Sequence, residues 1–209
     1  MSDFIKEIVE LNENNVKELL KQKINQEDPQ KIMKEVREAM SQIGDKYENK
    51  EYFLPDLMMS GEILKDIMEK LGPKLKETQK VEMEGKVLLG TVEGDIHDIG
   101  KDVVKFMLEA NGVEVRDLGV DVPADKFIEA IKEYRPDVVA LSGFLTLAFD
   151  SMKKTVEMIE KAGIRDQIKI MIGGGTVDES IVEYTHADAF GESAVDAVKM
   201  AKKWIKGEA

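Results

Sequence analysis

The chain has 209 residues, 43% hydrophobic and 34% charged, enough to bury a core as one large domain or two small ones. Its net charge of −12 argues against nucleic acid as a partner, because phosphate binding needs lysine and arginine in excess, and no run of about eighteen apolar residues is present to span a membrane. With no cysteine there are no disulfides, thiolate metal sites or cysteine nucleophiles; His97 and His186 are the only imidazoles, so a metal held by histidine has few protein ligands unless a cofactor brings the rest.

The start, Met1-Ser2-Asp3-Phe4-Ile5-Lys6-Glu7, is not a signal peptide, and a cytoplasmic protein is expected. Residues 1–75 read as a helical domain. Apolar residues recur at three- and four-residue spacing over 2–11, 14–24 and 29–47, with Asn14 as a cap and Pro29 in a first turn. A fourth run, 53–71, carries Phe53, Leu57, Met58, Leu64, Ile67, Met68 and Leu71 and is expected to stop at Gly72-Pro73. Four helices with short connections make a small bundle. The start of the fourth is too apolar to leave one face in water. It reads either as bundle core, with methionines filling gaps, or as an apolar lid that lies on something flat.

Residues 76–85 read as a linker, and strands then alternate with helices through 86–209. Strands are expected near 86–92, 113–118, 137–142, 168–173 and 188–190, with helices near 98–111, 123–134, 149–162, 178–183 and 192–206. That alternation predicts a five-stranded parallel sheet covered on both faces, of flavodoxin-like (Rossmann-like) order.

In such a sheet, ligands bind at the carboxyl ends of the strands. Three loops there are unusual. The first, Glu93-Gly94-Asp95-Ile96-His97-Asp98-Ile99-Gly100, offers one imidazole with a carboxylate two residues before it. That pair suits metal ligation, since the carboxylate can hold the proton of the ring nitrogen not on the metal. Gly100 lets a bulky ligand come close. The same loop also reads as an ordinary turn with Asp95 or Asp98 as helix cap and His97 exposed. The second loop, Ser142-Gly143-Phe144-Leu145-Thr146, places hydroxyls and a glycine after a hydrophobic strand. The third, Gly173-Gly174-Gly175-Thr176, reads as space for a ligand beside the sheet, a phosphate cradle or a flexible turn. His186 reads as a surface or helix-end histidine, and Trp204 as core or a docking edge.

Asp95-x-His97-x-x-Gly100, then 41 residues, Ser142-x-Phe144, then 28 residues, and Gly173-Gly174 together resemble the cobalamin-binding signature of methionine synthase. With a helical cap ahead of it, nearly the whole chain is similar to the small corrinoid proteins of anaerobic methyltransferase systems, those serving methylamines, methanol and betaines. The resemblance implies that His97 is the lower axial ligand of cobalt, replacing the cofactor's own base in a base-off, His-on state, with Asp95 bonded to it. Ile96, Asp98, Ile99 and Gly100 complete that loop. The displaced nucleotide tail would run between Ser142, Gly143, Phe144, Leu145 and Thr146 on one side and Gly173, Gly174 and Gly175 on the other, and Phe190 and Gly191 would close on its end. Phe53, Leu57 and Met58 are the candidates for covering the upper face.

On that resemblance the chain is a methyl carrier rather than a complete enzyme. It alternates between cob(I)alamin and methylcob(III)alamin, taking a methyl group from a substrate-specific methyltransferase. A second methyltransferase then moves it to tetrahydrofolate or a thiol, and a reductive activase restores the carrier. A cobalamin-dependent sensor and a flavodoxin-like flavin or phosphate binder are the alternatives. Two positions depart from the signature: Phe144 stands where leucine is usual, and Ala148 stands where methionine synthase has a serine that completes a relay with the Asp and His.

Overall fold

The structure, a computed structural model, describes residues 2–77, 83–175 and 177–208. They fall into two compact units, one within Met1–Met83 that also takes in Ala110–Gly112, the other formed by Glu84–Glu109 and Val113–Ala209.

The first unit is built from α1 (Asp3–Val9), α2 (Glu13–Lys23), α3 (Pro29–Glu48) and α4 (Leu54–Glu77). Local chemistry sets the helix starts. The Ser2 hydroxyl accepts the Ile5 amide, and the Asp28 carboxylate accepts the Gln30 amide ahead of Pro29. Asp56 in the first turn of α4 reaches back to the Phe53 amide at 2.7 Å. One stripe of each helix is buried: Phe4, Ile8, Val16, Leu20, Ile32, Val36, Met40, Ile43, Leu57, Ile63, Ile67 and Leu71 form the interior.

Two expectations are corrected here. The cap position of α2 is Asn12, and Asn14 lies inside the helix. The fourth helix does not stop at Gly72-Pro73 but runs on to Glu77. Gly72 does not take the left-handed conformation that a glycine stop uses, and Lys74 beyond the proline is anchored, its Nζ donating to the Ile24 carbonyl at 2.7 Å. Residues 78–82 of the expected linker lie outside the described residues.

The second unit is a parallel sheet of β1 (Lys86–Thr91), β2 (Glu114–Asp117), β3 (Val138–Ser142), β4 (Lys169–Gly173) and β5 (Ala189–Gly191), ordered β2-β1-β3-β4-β5. The connections are α5 (Ile99–Ala110), α6 (Ala124–Tyr134), α7 (Ala148–Lys161), a short 3₁₀ turn at Arg165–Gln167 and α8 (Glu179–Thr185), with α9 (Ala194–Ile205) last. β1 and β3 are central and almost wholly buried, which is why they read as unbroken apolar runs. Leu88, Val92, Phe127, Val139, Leu141, Met152, Val156, Ile159, Ile170 and Ile172 belong to one hydrophobic cluster. The observed class is therefore the expected one, a helical bundle followed by a flavodoxin-like sheet. Among the described residues no helix is long and apolar enough to cross a membrane.

The order reverses between β1 and β3, and the crevice of a doubly wound sheet opens at that point. Register aligns Thr91 with Ser142 and Ser142 with Gly173, so the three unusual loops leave the sheet side by side.

Candidate functional site

The β1–α5 loop carries its acid inward and its imidazole outward. Asp95 is fully buried, while the His97 side chain is 50% exposed. Asp95 Oδ1 accepts the His97 amide at 3.0 Å and faces His97 Nδ1 at 2.6 Å. Its Oδ2 accepts the amides of Phe144 at 2.6 Å and Leu145 at 2.9 Å, across the β3–α7 loop. Burial would raise this carboxyl's pKa, but the Leu145 and His97 amides, the His97 ring and the Phe144 amide outweigh it and hold it down at about 2. An ionised carboxylate only accepts, so Nδ1 is the nitrogen that carries a proton, and in the neutral imidazole Nε2 is the one with the lone pair. The Thr91 hydroxyl, itself buried, donates to the His97 carbonyl at 2.9 Å and ties the loop to its strand.

Phe144 joins all three loops. Its ring centroid lies 4.7 Å from that of His97, with the planes at 37°, and a Cβ on Gly175 would fall 2.6 Å from the ring. The second and third loops also meet through their backbones: the Gly143 amide donates to the Gly173 carbonyl at 3.0 Å. A Cβ on Gly174, where φ is +143°, would lie 1.8 Å from the Gly143 carbonyl oxygen. Glycine is thus required at 174 by the protein's own packing. Gly100 differs, because a Cβ there would meet nothing within 4 Å.

Around the imidazole the surface is apolar and open. Ile96, Ile99, Val120, Phe144, Leu145 and Leu147 are all exposed, Leu147 to 77%. Ser142 is half-buried and Thr146 exposed, and the Ser142 carbonyl accepts the Val92 amide at 3.0 Å. Phe190 and Gly191 sit half-buried on the edge strand, paired with Ile172 and Gly173, adjoining the third loop. Asp98 precedes α5 and its carbonyl accepts the Asp102 amide, while its carboxylate makes no hydrogen bond among the described residues. Thr176 lies outside the described residues. In the first unit Phe53 and Met58 are exposed and Leu57 is buried in the interior, turned away from solvent. Ala148 is buried, and a Cβ on Gly143 would fall 2.6 Å from its methyl group. His186 ends α8 in a left-handed conformation, and its carbonyl accepts from Arg165.

Two features of the site were not visible in the sequence. Lys101, in the first turn of α5, is buried and donates to Asp102 at 2.6 Å and Asp117 at 2.7 Å. Burial alone would lower its pKa, and the two carboxylates raise it instead. Asp121, after β2, bonds the loop that holds Asp95.

The donor set limits what can bind. Among the described residues no group of three His, Cys, Asp or Glu side chains could hold a metal ion. A single half-exposed imidazole, with exposed apolar side chains in its own and the neighbouring loops and open space at Gly100, fits a metal that arrives inside a planar macrocycle. A corrinoid, which brings four equatorial nitrogens with it, meets that description.

Comparison with known proteins agrees. The chain belongs to the family of cobalamin-binding proteins: residues 85–199 match a B12 binding domain, and residues 2–71 match a second domain of the same description. Trimethylamine corrinoid protein 2 of Methanosarcina acetivorans is 42% identical over 80% of this chain and 78% of its own length. Dimethylamine corrinoid protein 2 of the same organism is 36% identical, over 85% and 82%. Among solved structures, a cobalamin-binding protein from Desulfitobacterium hafniense DCB-2 superposes with a TM-score of 0.79 at 39% identity, covering 96% of each chain. The methanol:cobalamin methyltransferase complex MtaBC of Methanosarcina barkeri gives 0.83 at 31%, over 99% of this chain and 79% of that one.

Proposed function

We propose that this protein is a cytoplasmic corrinoid methyl carrier that binds cobalamin with its own base displaced and His97 as the lower axial ligand. The observation that carries this reading is the 2.6 Å contact of the buried Asp95 carboxylate with His97 Nδ1, which directs Nε2 of the neutral, half-exposed ring to act as the donor. When bound, the corrinoid supplies a metal centre that accepts a methyl group and gives it up again. His97 orients and tunes that centre from below, and Asp95 fixes the tautomer and basicity of His97. Ile96, Asp98, Ile99 and Gly100 would frame the ring. Ser142, Gly143, Phe144, Leu145 and Thr146, with Gly173, Gly174, Gly175, Phe190 and Gly191, would line the path of the displaced tail. The division of labour is a helical cap over residues 1–75, offering the exposed Phe53 and Met58, and a cofactor domain over 86–209.

The relatives are named for trimethylamine and dimethylamine, and MtaBC is a methanol:cobalamin methyltransferase complex, which supports a place in a system of that kind. The partners we assign are a substrate-specific methyltransferase, a second methyltransferase using tetrahydrofolate or a thiol as acceptor, and a reductive activase.

The test is electron paramagnetic resonance of protein loaded with cob(II)alamin whose lower base is labelled with nitrogen-15. We expect splitting from an unlabelled nitrogen in wild type and its loss in His97→Ala. Splitting from the labelled base in wild type would overturn the assignment of His97.

A further inference from the structure

The segment after β2 stays hydrogen-bonded to β1 as far as the histidine loop. The Leu118 amide donates to the Leu89 carbonyl at 2.8 Å, the Thr91 amide to the Gly119 carbonyl at 2.9 Å, and the Val122 amide to the Thr91 carbonyl at 3.0 Å. Between these, Gly119 and Asp121 both take positive φ, +88° and +53°. Glycine does so freely. A non-glycine residue is strained there, although aspartate is among the few side chains that tolerate it.

The strained conformation at 121 has a definite result. It aims both polar ends of one residue at one place: the Asp121 amide donates to the Asp95 carbonyl at 2.9 Å, and the Asp121 carboxylate accepts the Gly94 amide at 2.7 Å. Gly94 is itself at φ +84°, with open space where a Cβ would be, and within the loop its turn is closed by the Asp95 amide on the Val92 carbonyl at 3.2 Å. Asp95 can span His97 on one oxygen and the β3–α7 loop on the other only if its backbone stays where it is.

We propose that Asp121 is a positioning residue for the axial ligand: it clamps Gly94 and Asp95 from outside the loop and so sets how strongly His97 can bind the corrinoid metal. The inference rests on the axial role given to His97 above. Asp121 is bonded to Gly94 and Asp95 and not to His97, and Asp95 keeps its bonds to Phe144 and Leu145 without it, so the effect is partial. Loss of one exposed hydrogen bond of this kind corresponds to roughly a three- to tenfold weaker ligation.

The test is the midpoint potential of the cobalt(II)/cobalt(I) couple in corrinoid-loaded wild type, Asp121→Gly, Asp121→Asn and His97→Ala. Glycine keeps the backbone freedom and removes the carboxylate; asparagine keeps an acceptor oxygen. An axial nitrogen that favours cobalt(II) lowers the midpoint, so a tenfold weaker ligation raises it by about 59 mV and a threefold one by about 28 mV. We expect Asp121→Gly to rise by roughly that range toward the His97→Ala value, and Asp121→Asn to stay with wild type. Equal midpoints for wild type and His97→Ala would remove the axial role of His97, and this inference with it. A difference between those two, with Asp121→Gly at the wild-type value, overturns the role of Asp121 alone, as does Asp121→Asn behaving like Asp121→Gly. Should Asp121→Gly retain no corrinoid, the cofactor-free wild type decides through amide exchange. Protection of the Gly94 amide at least about tenfold beyond an open loop supports the clamp, and exchange at the open-loop rate overturns it.

Discussion

Asp95 and His97 are joined twice, because a single carboxylate oxygen of Asp95 meets both the backbone amide and the ring Nδ1 of His97. The two contacts fix the backbone and the side chain of the histidine together, so the ring cannot turn about its own χ angles without breaking a charge-assisted bond.

Acid should expose the energy of that arrangement. A carboxyl held at about 2 in the fold, against an ordinary 3.8, contributes stability that is present above the unfolded value and lost as pH falls through the folded one. Wild type should therefore lose roughly 2 kcal/mol between about pH 4 and pH 2 that Asp95→Asn, already lacking it, does not lose. Urea unfolding of both proteins across that range measures the difference, and parallel curves would show that Asp95 contributes nothing.

Gly100→Ala and Gly174→Ala should separate folding from binding. Alanine at 100 meets no neighbour and sits in the first turn of α5, so thermal stability should hold or rise by up to about 1 kcal/mol. Corrinoid affinity should nevertheless fall, because the open face is where the ring would lie. At 174 the new Cβ collides with the Gly143 carbonyl, and a loss of more than about 2 kcal/mol is expected in the cofactor-free protein. Equal effects of the two substitutions on stability would contradict this.

Replacing Phe144 by leucine should leave stability within about 1 kcal/mol, since the ring is half in solvent. It should remove the ring-current shift that Phe144 imposes on the His97 ring protons at a centroid separation of 4.7 Å. Proton NMR of the cofactor-free protein reads this directly; unchanged His97 resonances would mean the two rings do not stay in contact.

Lys101→Met should destabilise the protein by about 1–2 kcal/mol, because it removes the nearer cation from Asp117, which is only 15% exposed and keeps Lys105 at 3.4 Å and the Gly119 amide at 2.9 Å. The raised pKa of Lys101 gives a second check. Its contribution is complete below the ordinary lysine range and is lost as pH rises through the folded value, so wild type and variant should converge at high pH. Denaturant midpoints at neutral and strongly alkaline pH test both statements.

What the sequence disclosed about this site followed from distance along the chain. Asp95, His97 and Gly100 are neighbours in one loop, and their chemistry could be read from spacing. The sheet was equally legible, since buried parallel strands such as β1 and β3 are apolar throughout. Asp121 could not be found that way. Its partners lie 26 and 27 residues earlier, and only the left-handed backbone at 121 turns it toward them. Gly174 reads in the sequence as room for a ligand, a phosphate cradle or a flexible turn; that the protein's own packing also demands glycine there shows only once β3 and β4 are aligned. Leu57 shared an apolar run with Phe53 and Met58, yet the helix turns it inward and them outward. Pro73 marked a stop that the anchored Lys74 overrides.

Three of the exposed methionines lie on α4, with Met83 beyond it, and they set where oxidation would begin. With no thiol anywhere in the chain, an oxidant finds thioethers first, and Met58, Met59 and Met68 offer theirs at 50%, 45% and 36% exposure on the helix that carries the cap candidates. Sulfoxide formation would turn soft apolar groups into polar, chiral ones there while leaving the buried Met40 and Met152 untouched. Damage by air would accordingly be written on the surface of the helical unit before the sheet recorded any, and a methionine sulfoxide reductase could erase it.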